Sequence, residues 1–333
     1  MKKSLIALAV AGSFAAPAFA ATSNVDVYGK MHMSVSLFDD QPTGINDVQI
    51  SSNASRIGFK GSEDLGGGLA AIWQIESGIN LDEQSGSFAT RNSFVGLKGN
   101  FGTALLGNHD TPLKLVGRTV DLFGDTIADS RNVMGGGSDT RAKNTAAYMS
   151  PSFSGLNFAA AYSTDLNSTA GGDLDDRGSY NLSATYTNGP LFAGLAFGDG
   201  DAHEAVNLGA HWRAAAGYTL GNLKFVGQYD SLNGNTSADA DYDAWMLGAA
   251  YTMGAMVFKA NYMDGDIDGT SNDPTQWTVG VDYNLSKRTM AYALYANGEY
   301  VTLGAGAGGS DRISSGVAGG DISAFSVGVV HNF

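Results

Sequence analysis

The chain has 333 residues with 19 Lys and Arg against 33 Asp and Glu, a formal charge of −14, and no cysteine. So acidic a chain argues against nucleic acid as a partner, because counterion release from a polyanion needs a basic surface; without cysteine, no disulfide contributes to the fold. Forty-six glycines, fourteen tyrosines and sixteen phenylalanines beside six prolines describe many strands and turns.

Residues 1–20 start with Lys2 and Lys3, continue as an apolar stretch from about Leu5 to Ala16, and end in Ala18-Phe19-Ala20. A basic start, a short apolar core and an A-x-A site predict a secretory signal cleaved after Ala20. The apolar stretch is too short to cross a bilayer as a helix, and no later apolar run reaches the length of a spanning helix. Without Lys2 and Lys3, 17 basic residues face 33 acidic ones, a net charge of −16. No linker or shift of composition divides residues 21–333, which are expected to form one domain. Mean hydropathy is −0.08, and this does not exclude a membrane, since strands with one apolar and one polar face average near zero.

Alternating or aromatic-rich segments then recur at the length a tilted membrane strand needs. In chain order they are 25–38, 48–61, 69–80, 90–99, 102–109, 141–150, 155–164, 179–188, 190–198, 205–217, 218–230, 242–253, 255–264, 275–285, 287–297 and 321–333, sixteen in all. In the first, Val25, Val27, Met31, Met33, Val35 and Leu37 share a face, with Asp26, Tyr28, Lys30, His32 and Ser34 opposite. In the third, Leu69, Ala71, Trp73 and Ile75 face away from Gln74 and Glu76, which are therefore expected to face a lumen. The fourth is less clean, because Val95 and Leu97 share parity with Arg91. The last alternates Phe325, Val327, Val329 and His331 against Ala324, Ser326, Gly328, Val330 and Asn332, and stops on Phe333.

The connections alternate in length. Asp64 to Gly68, Asn100 to Gly102, Asn188 to Pro190, Leu220 to Asn222 and Leu285 to Lys287 are short turns. The stretches 165–178, 231–241, 264–274 and 298–320 are long, acidic and rich in Gly, Ser and Asn. Short turns at one end and long loops at the other are the layout of an all-β, transmembrane antiparallel β-barrel. The 110–140 connection is the longest and exceeds an ordinary hairpin loop.

Val27-Tyr-Gly-Lys30, Ser55-Arg-Ile-Gly-Phe-Lys-Gly-Ser-Glu-Asp-Leu-Gly-Gly-Gly-Leu69, Trp73-Gln-Ile-Glu-Ser-Gly78, Arg91-Asn-Ser-Phe-Val-Gly-Leu-Lys-Gly-Asn-Phe-Gly102, Asp121-Leu-Phe-Gly-Asp125 and the terminal Phe333 together resemble blocks of the general diffusion porins of Gram-negative outer membranes. The resemblance implies a sixteen-stranded barrel, a homotrimer, a third loop folded inward at about 110–140, and a terminal aromatic, here Phe333, that serves as an assembly signal. It implies a basic wall cluster at Lys30, Arg56, Arg91 and Arg141, facing a loop that carries Arg118, Asp121, Phe123 and Asp125. Parity independently turns Lys30 and Arg56 inward. Two departures stand out: Leu122 occupies the place of an acidic residue in enterobacterial relatives, and the proline of their pattern is missing.

Opposite charges across a narrow aqueous gap orient water and dipolar solutes and penalise apolar ones. The competing reading of the arginines is plain pairing with carboxylates on the barrel interior. Leu122 and Phe123 are expected to pin the loop to the wall. The function implied is passive diffusion of ions and small hydrophilic solutes through the outer membrane, with membrane lipid and lipopolysaccharide as surroundings and no cofactor or metal. The alternatives are a substrate-selective channel or a secreted β-rich binding protein. An enzyme is disfavoured, since His32, His109, His203, His211 and His331 form no connected pattern with Ser and Asp. Asp264 to Gly269 matches half a calcium loop, but Thr275 stands where a bidentate Glu is needed. The total charge favours cations at the mouth and the wall cluster favours anions at the narrowest point.

Overall fold

The structure, a computed structural model, describes residues 24–40, 45–82, 88–134, 139–164, 178–200, 208–234, 241–303, 313–314 and 321–333. The expected signal at 1–20 and the loop stretch 165–177 lie outside them. Strands β1 (Asn24–Asp40), β2 (Ile45–Ser52), β3 (Arg56–Gly66), β4 (Leu69–Gly78), β5 (Ser93–Gly99) and β6 (Gly102–Asp110) come first. Helix α1 (Pro112–Val120) and a 3-10 turn (Ser130–Asn132) follow, then β7 (Arg141–Met149), β8 (Leu156–Ser163), β9 (Ser179–Asn188) and β10 (Leu191–Gly200). Strands β11 (Leu208–Leu220), β12 (Leu223–Leu232), β13 (Tyr242–Met253), β14 (Met256–Ile267), β15 (Thr275–Asn284) and β16 (Thr289–Glu299) continue the meander. A small hairpin of β17 (Thr302–Leu303) and β18 (Ile313–Ser314) stands apart from it, and β19 (Asp321–Asn332) ends the sheet.

Every neighbour pair in the large sheet is antiparallel. β2 and β3 both pair with β1 and are two parts of one membrane strand, so the cylinder has sixteen strands closed by β1 against β19. Closure leaves no ladder edge in lipid, which is what lets a sheet span a bilayer. The seam is sealed by the last residue: Gly29 N donates to Phe333 O at 3.0 Å, and Phe333 N donates to Gly29 O at 3.1 Å. The Phe333 ring lies where a Cβ on residue 29 would stand, so only glycine fits there.

The alternation read in the sequence is the alternation of faces. Val25, Val27, Val35 and Leu37 are exposed on the outside, while His32, Ser34 and Ser36 are buried inside. Rings of adjacent strands stack on the outer face, with centroids 4.4 Å apart for Phe197 and Trp212 and 5.4 Å for both Trp245–Tyr262 and Trp277–Tyr295. Tyr180, Tyr229 and Tyr262 donate hydroxyl bonds to Asp199, Asp243 and Asp264. Such a belt, apolar below and polar above, marks a membrane–water boundary.

Four expectations about the elements need correction. The segment expected at 48–61 is interrupted: Ala54 has a left-handed φ of 51°, and Asn53 turns inward to donate to Ser34 Oγ at 2.7 Å. The segment bound placed at 217/218 falls inside β11, which runs on to Leu220, so the strands part at the short turn read at Leu220 to Asn222. Residues 265–267, read as loop, continue β14; acidic residues are at home in a strand once it rises past the aromatic belt into water. That also removes the half calcium loop, whose first residues are paired strand. Finally, Arg91 precedes β5, so strand parity does not govern it and the apparent conflict with Val95 disappears.

The hydrophobic core is not between strands. It forms where the 111–134 segment packs on the inner wall, with Leu113, Val116, Val120, Phe123, Ile127 and Met134 against Ala196, Ala215, Val226, Ala244, Met246 and Met263. Small alanines on the wall make room for the larger side chains of the loop.

Candidate pore constriction

Asp110 ends β6 and Arg141 begins β7, and the chain between them starts as a helix that loop composition hides. Thr111 is the N-cap, its hydroxyl accepting from Lys114 N at 3.3 Å, and Pro112 occupies the first helical turn. Leu113, Val116 and Val120 recur at helical spacing and are buried against the wall. Beyond the helix, carboxylates organise the backbone: Asp121 Oδ1 accepts from Phe123 N at 2.9 Å, and Asp129 Oδ2 accepts from Asp125 N at 2.8 Å. Asp125 itself has a left-handed φ of 62°, which aspartate tolerates better than most residues.

This turn delivers Asp125 to the wall. Its Oδ2 lies 2.9 Å from Lys30 Nζ and 3.9 Å from Arg56 Nη1, and its Oδ1 lies 2.7 Å from Arg118 Nη2. Arg118 also bridges Asp121 at 3.1 Å and Asp129 at 2.7 Å, and Arg131 reaches Asp129 at 2.9 Å. Burial drives all three carboxylates toward the neutral form. At Asp125, Lys30 and Arg118 outweigh burial and hold the group well below the usual carboxylate range; Arg118 and Arg131 do the same for Asp129. Asp121 goes the other way: burial and the charge of Asp129 overcome Arg118 and push it up to about 6.

The four basic wall positions separate into two pairs. Lys30 and Arg56 reach the loop. Arg91 instead holds Glu76 at 2.5 Å, with Tyr28 donating to the same carboxylate at 2.9 Å. Arg141 meets Asp110 at 3.0 Å and Asn92 Oδ1 at 2.6 Å. Among these contacts Arg91 and Arg141 follow the competing reading, pairing with carboxylates on the barrel side. Glu76 is buried and also lies 3.9 Å from Arg56, and Gln74 donates to Asn92 O at 3.1 Å.

The far side of the loop is fastened by wall partners the sequence did not single out. Phe123 is buried, with Lys259 Nζ 4.7 Å from its ring centre; Lys259 also donates to Leu122 O at 2.9 Å and pairs with Asp282 at 2.8 Å. Asn132 donates to Gln276 Oε1 at 2.9 Å, and Tyr242 donates its hydroxyl to Val133 O. Lys114 pairs with Asp110 at 3.1 Å. Strand parity placed none of the loop residues Lys114, Asp129 and Arg131, because they lie off the strands; the Thr111-Pro112 cap and an Asp every four residues were the available signals. A cavity of about 310 Å³ remains between the loop tip and the wall, lined by Lys30, Arg118, Phe123, Lys259, Asp282 and Tyr292. Among the described residues the histidines are dispersed: His32 bonds Tyr292 at 2.9 Å, His109 bonds Asp110 O at 2.8 Å, and His331 bonds Thr289 at 2.9 Å.

A closed sixteen-stranded cylinder, apolar outside and charged within, is a porin-type barrel. The Gram-negative porin family matches residues 7–303, and the chain belongs to that family. It is 33% identical to the outer membrane porin protein 32 of Delftia acidovorans over the full length of both chains. It is 30% identical to the major outer membrane protein P.IB of Neisseria gonorrhoeae over 87% of this chain and 92% of that one. Among solved structures, an anion-selective porin from Comamonas acidovorans superposes with a TM-score of 0.76 at 28% identity, covering 93% of this chain and all of that one. OmpF of Salmonella typhi, solved in complex with daunomycin, shares the fold, with a TM-score of 0.73 at 18% identity, covering 93% of this chain and 97% of that one. The protein is therefore a channel for passive diffusion in a Gram-negative outer membrane, and a secreted binding protein is set aside.

Proposed function

We propose that the 111–140 segment is the constriction of this channel, and that the bridge from Lys30 on the wall to Asp125 on the loop, with Arg56 beside it, forms one edge of its narrowest part. The bridge from Lys30 to Asp125 at 2.9 Å carries this reading. Ions and small hydrophilic solutes pass through water beside it, oriented by the transverse field, and no catalytic step is involved.

Local charge, and not the total of −14, sets ion preference. Among the described residues the ion pairs around the loop join nine cations (Lys30, Arg56, Arg91, Lys114, Arg118, Arg131, Arg141, Arg213, Lys259) to eight carboxylates (Glu76, Asp110, Asp121, Asp125, Asp129, Asp139, Asp230, Asp282). The excess is positive, so the pore is expected to prefer anions mildly. The solved porin from Comamonas acidovorans is anion-selective, which agrees in sign.

The working unit is expected to be a homotrimer, as OmpT of Vibrio cholerae has a solved trimer form, with the outward Val, Met and Ile side chains of the first strands between barrels. Lipid and lipopolysaccharide would surround the aromatic belt, Phe333 would serve as the assembly signal, and residues 1–20 would direct export from a single-domain precursor. Planar-bilayer recording tests the core of this reading: reversal potentials across a salt gradient that are the same for wild type and Arg56→Gln would overturn it.

A further inference from the structure

Arg213 lies on β11 directly across from Asp230 of β12, with its side chain fully buried, 0% exposed. The lumen arginines Arg56 and Arg118, by contrast, keep about a quarter of their side-chain surface open, at 26% and 25%. All five guanidinium N–H donors are used. Nε and Nη2 donate to the two oxygens of Asp230 at 2.8 and 2.5 Å. The rest go to the loop: Nη1 to Leu113 O at 3.2 Å and Asp139 Oδ2 at 2.6 Å, and Nη2 to Met134 O at 2.7 Å. Gln228 completes Asp230 with a bond of 3.1 Å to Oδ1.

The partners are informative by where they sit in the chain. Leu113 belongs to the first turn of α1, where the loop enters, while Met134 and Asp139 lie where it returns. One side chain thus ties both ends of the long connection to the same spot on the wall. Gly117 of α1 faces the guanidinium so closely that a Cβ would collide with Nη1, and the helix therefore needs glycine to seat. A planar five-donor fork suits this task; a lysine ammonium has three donors and cannot reach both carbonyls and both carboxylates together. Removed from water, the group contacts no permeating solute, so it contributes to transport through the position of the loop.

Resting on the constriction reading above, we infer that Arg213 is a positioning residue, a clasp that fixes both ends of the 111–140 segment and so sets the bore of the pore. Its loss lets the loop swing and widens the passage for solutes of any charge. Uncharged polymers are therefore the proper probe, because they report size and ignore the field.

Arg213→Met strands Asp139 and Asp230 as buried charges without a cation, a change severe enough to threaten assembly itself, so two milder variants carry the test. Asp139→Ala removes the acceptor of one loop bond and keeps the pair with Asp230, and Arg213→Lys keeps the charge while losing the fork. Folded variants, purified in detergent and inserted into planar bilayers, are compared for single-channel conductance and for exclusion of polyethylene glycols of graded radius. Both are expected to conduct roughly 1.5-fold or more above wild type and to admit larger polymers, as a wider narrowest section requires. Wild-type conductance and exclusion in both variants, beside a normal reversal-potential shift in Arg56→Gln, would overturn the clasp and leave the constriction standing. No shift in Arg56→Gln would remove both.

Discussion

The loop is held at two poles by the same chemistry under opposite conditions. At one, Lys30 and Arg56 meet Asp125 with side chains still 13% and 26% exposed; at the other, Arg213 meets Asp230 and Asp139 in full burial. A wet pair is screened and loosely held, yet its field extends into the water that solutes cross. A dry pair exerts no useful field on the lumen, but breaking it strands a buried charge, so it holds position strongly. Selectivity and geometry of one pore can thus reside in separate arginine–carboxylate groups.

That division can be attacked from several sides. The largest effect is expected from Phe123→Ala, which empties the packing at the loop tip and costs about 3–5 kcal/mol by analogy with buried aromatic deletions. It should raise conductance and channel noise together; unaltered traces would show that the tip is not held by this ring. Arg56→Gln comes next, removing a partly open cation at the wet pole. It should move the reversal potential toward cations with polymer exclusion unchanged. Arg141→Gln should give the same sign but a smaller shift, since its partner Asp110 stands outside the loop tip. Equal shifts for the two would mean that position along the pore does not matter.

Acidity offers a subtler probe. Asp121 is raised to about 6 by burial and by Asp129. Its charge therefore costs the docked loop stability above that pH, and the cost is relieved as pH falls through it. Asp125 and Asp129 are depressed, so what they contribute is present above the ordinary carboxylate value and lost only in much stronger acid. From about pH 8 to about pH 5 the loop stays docked and gains one positive charge. Selectivity should drift toward anions with a midpoint near 6, and Asp121→Asn should abolish that drift. A drift unchanged in the variant would assign the titration to another group.

The strands were legible because one face meets lipid and the other water, and a period of two records that choice residue by residue. Val25 to Leu37 and Phe325 to His331 show it without ambiguity. Legibility failed where that contrast ends. Above the belt, Asp266 reads as loop although it is paired strand. Inside the lumen, α1 packs on a wall of alanines and is surrounded by protein, so neither strand period nor composition announces it; only Thr111-Pro112 and the helical spacing of Leu113, Val116 and Val120 do. The wet pole was expected from motif resemblance together with parity. The dry pole was not, because Arg213 resembles any inward arginine until the loop carbonyls of Leu113 and Met134 are seen on it.

The most direct test of the wet pole exchanges its two members separately. Lys30→Gln removes the wall charge and Asp125→Asn the loop charge, and reversal potentials are read across the same salt gradient. Displacements of opposite sign, toward cations for Lys30→Gln and toward anions for Asp125→Asn, are the predicted result. Two variants indistinguishable from wild type would contradict the placement of this pair at the narrowest point of the pore.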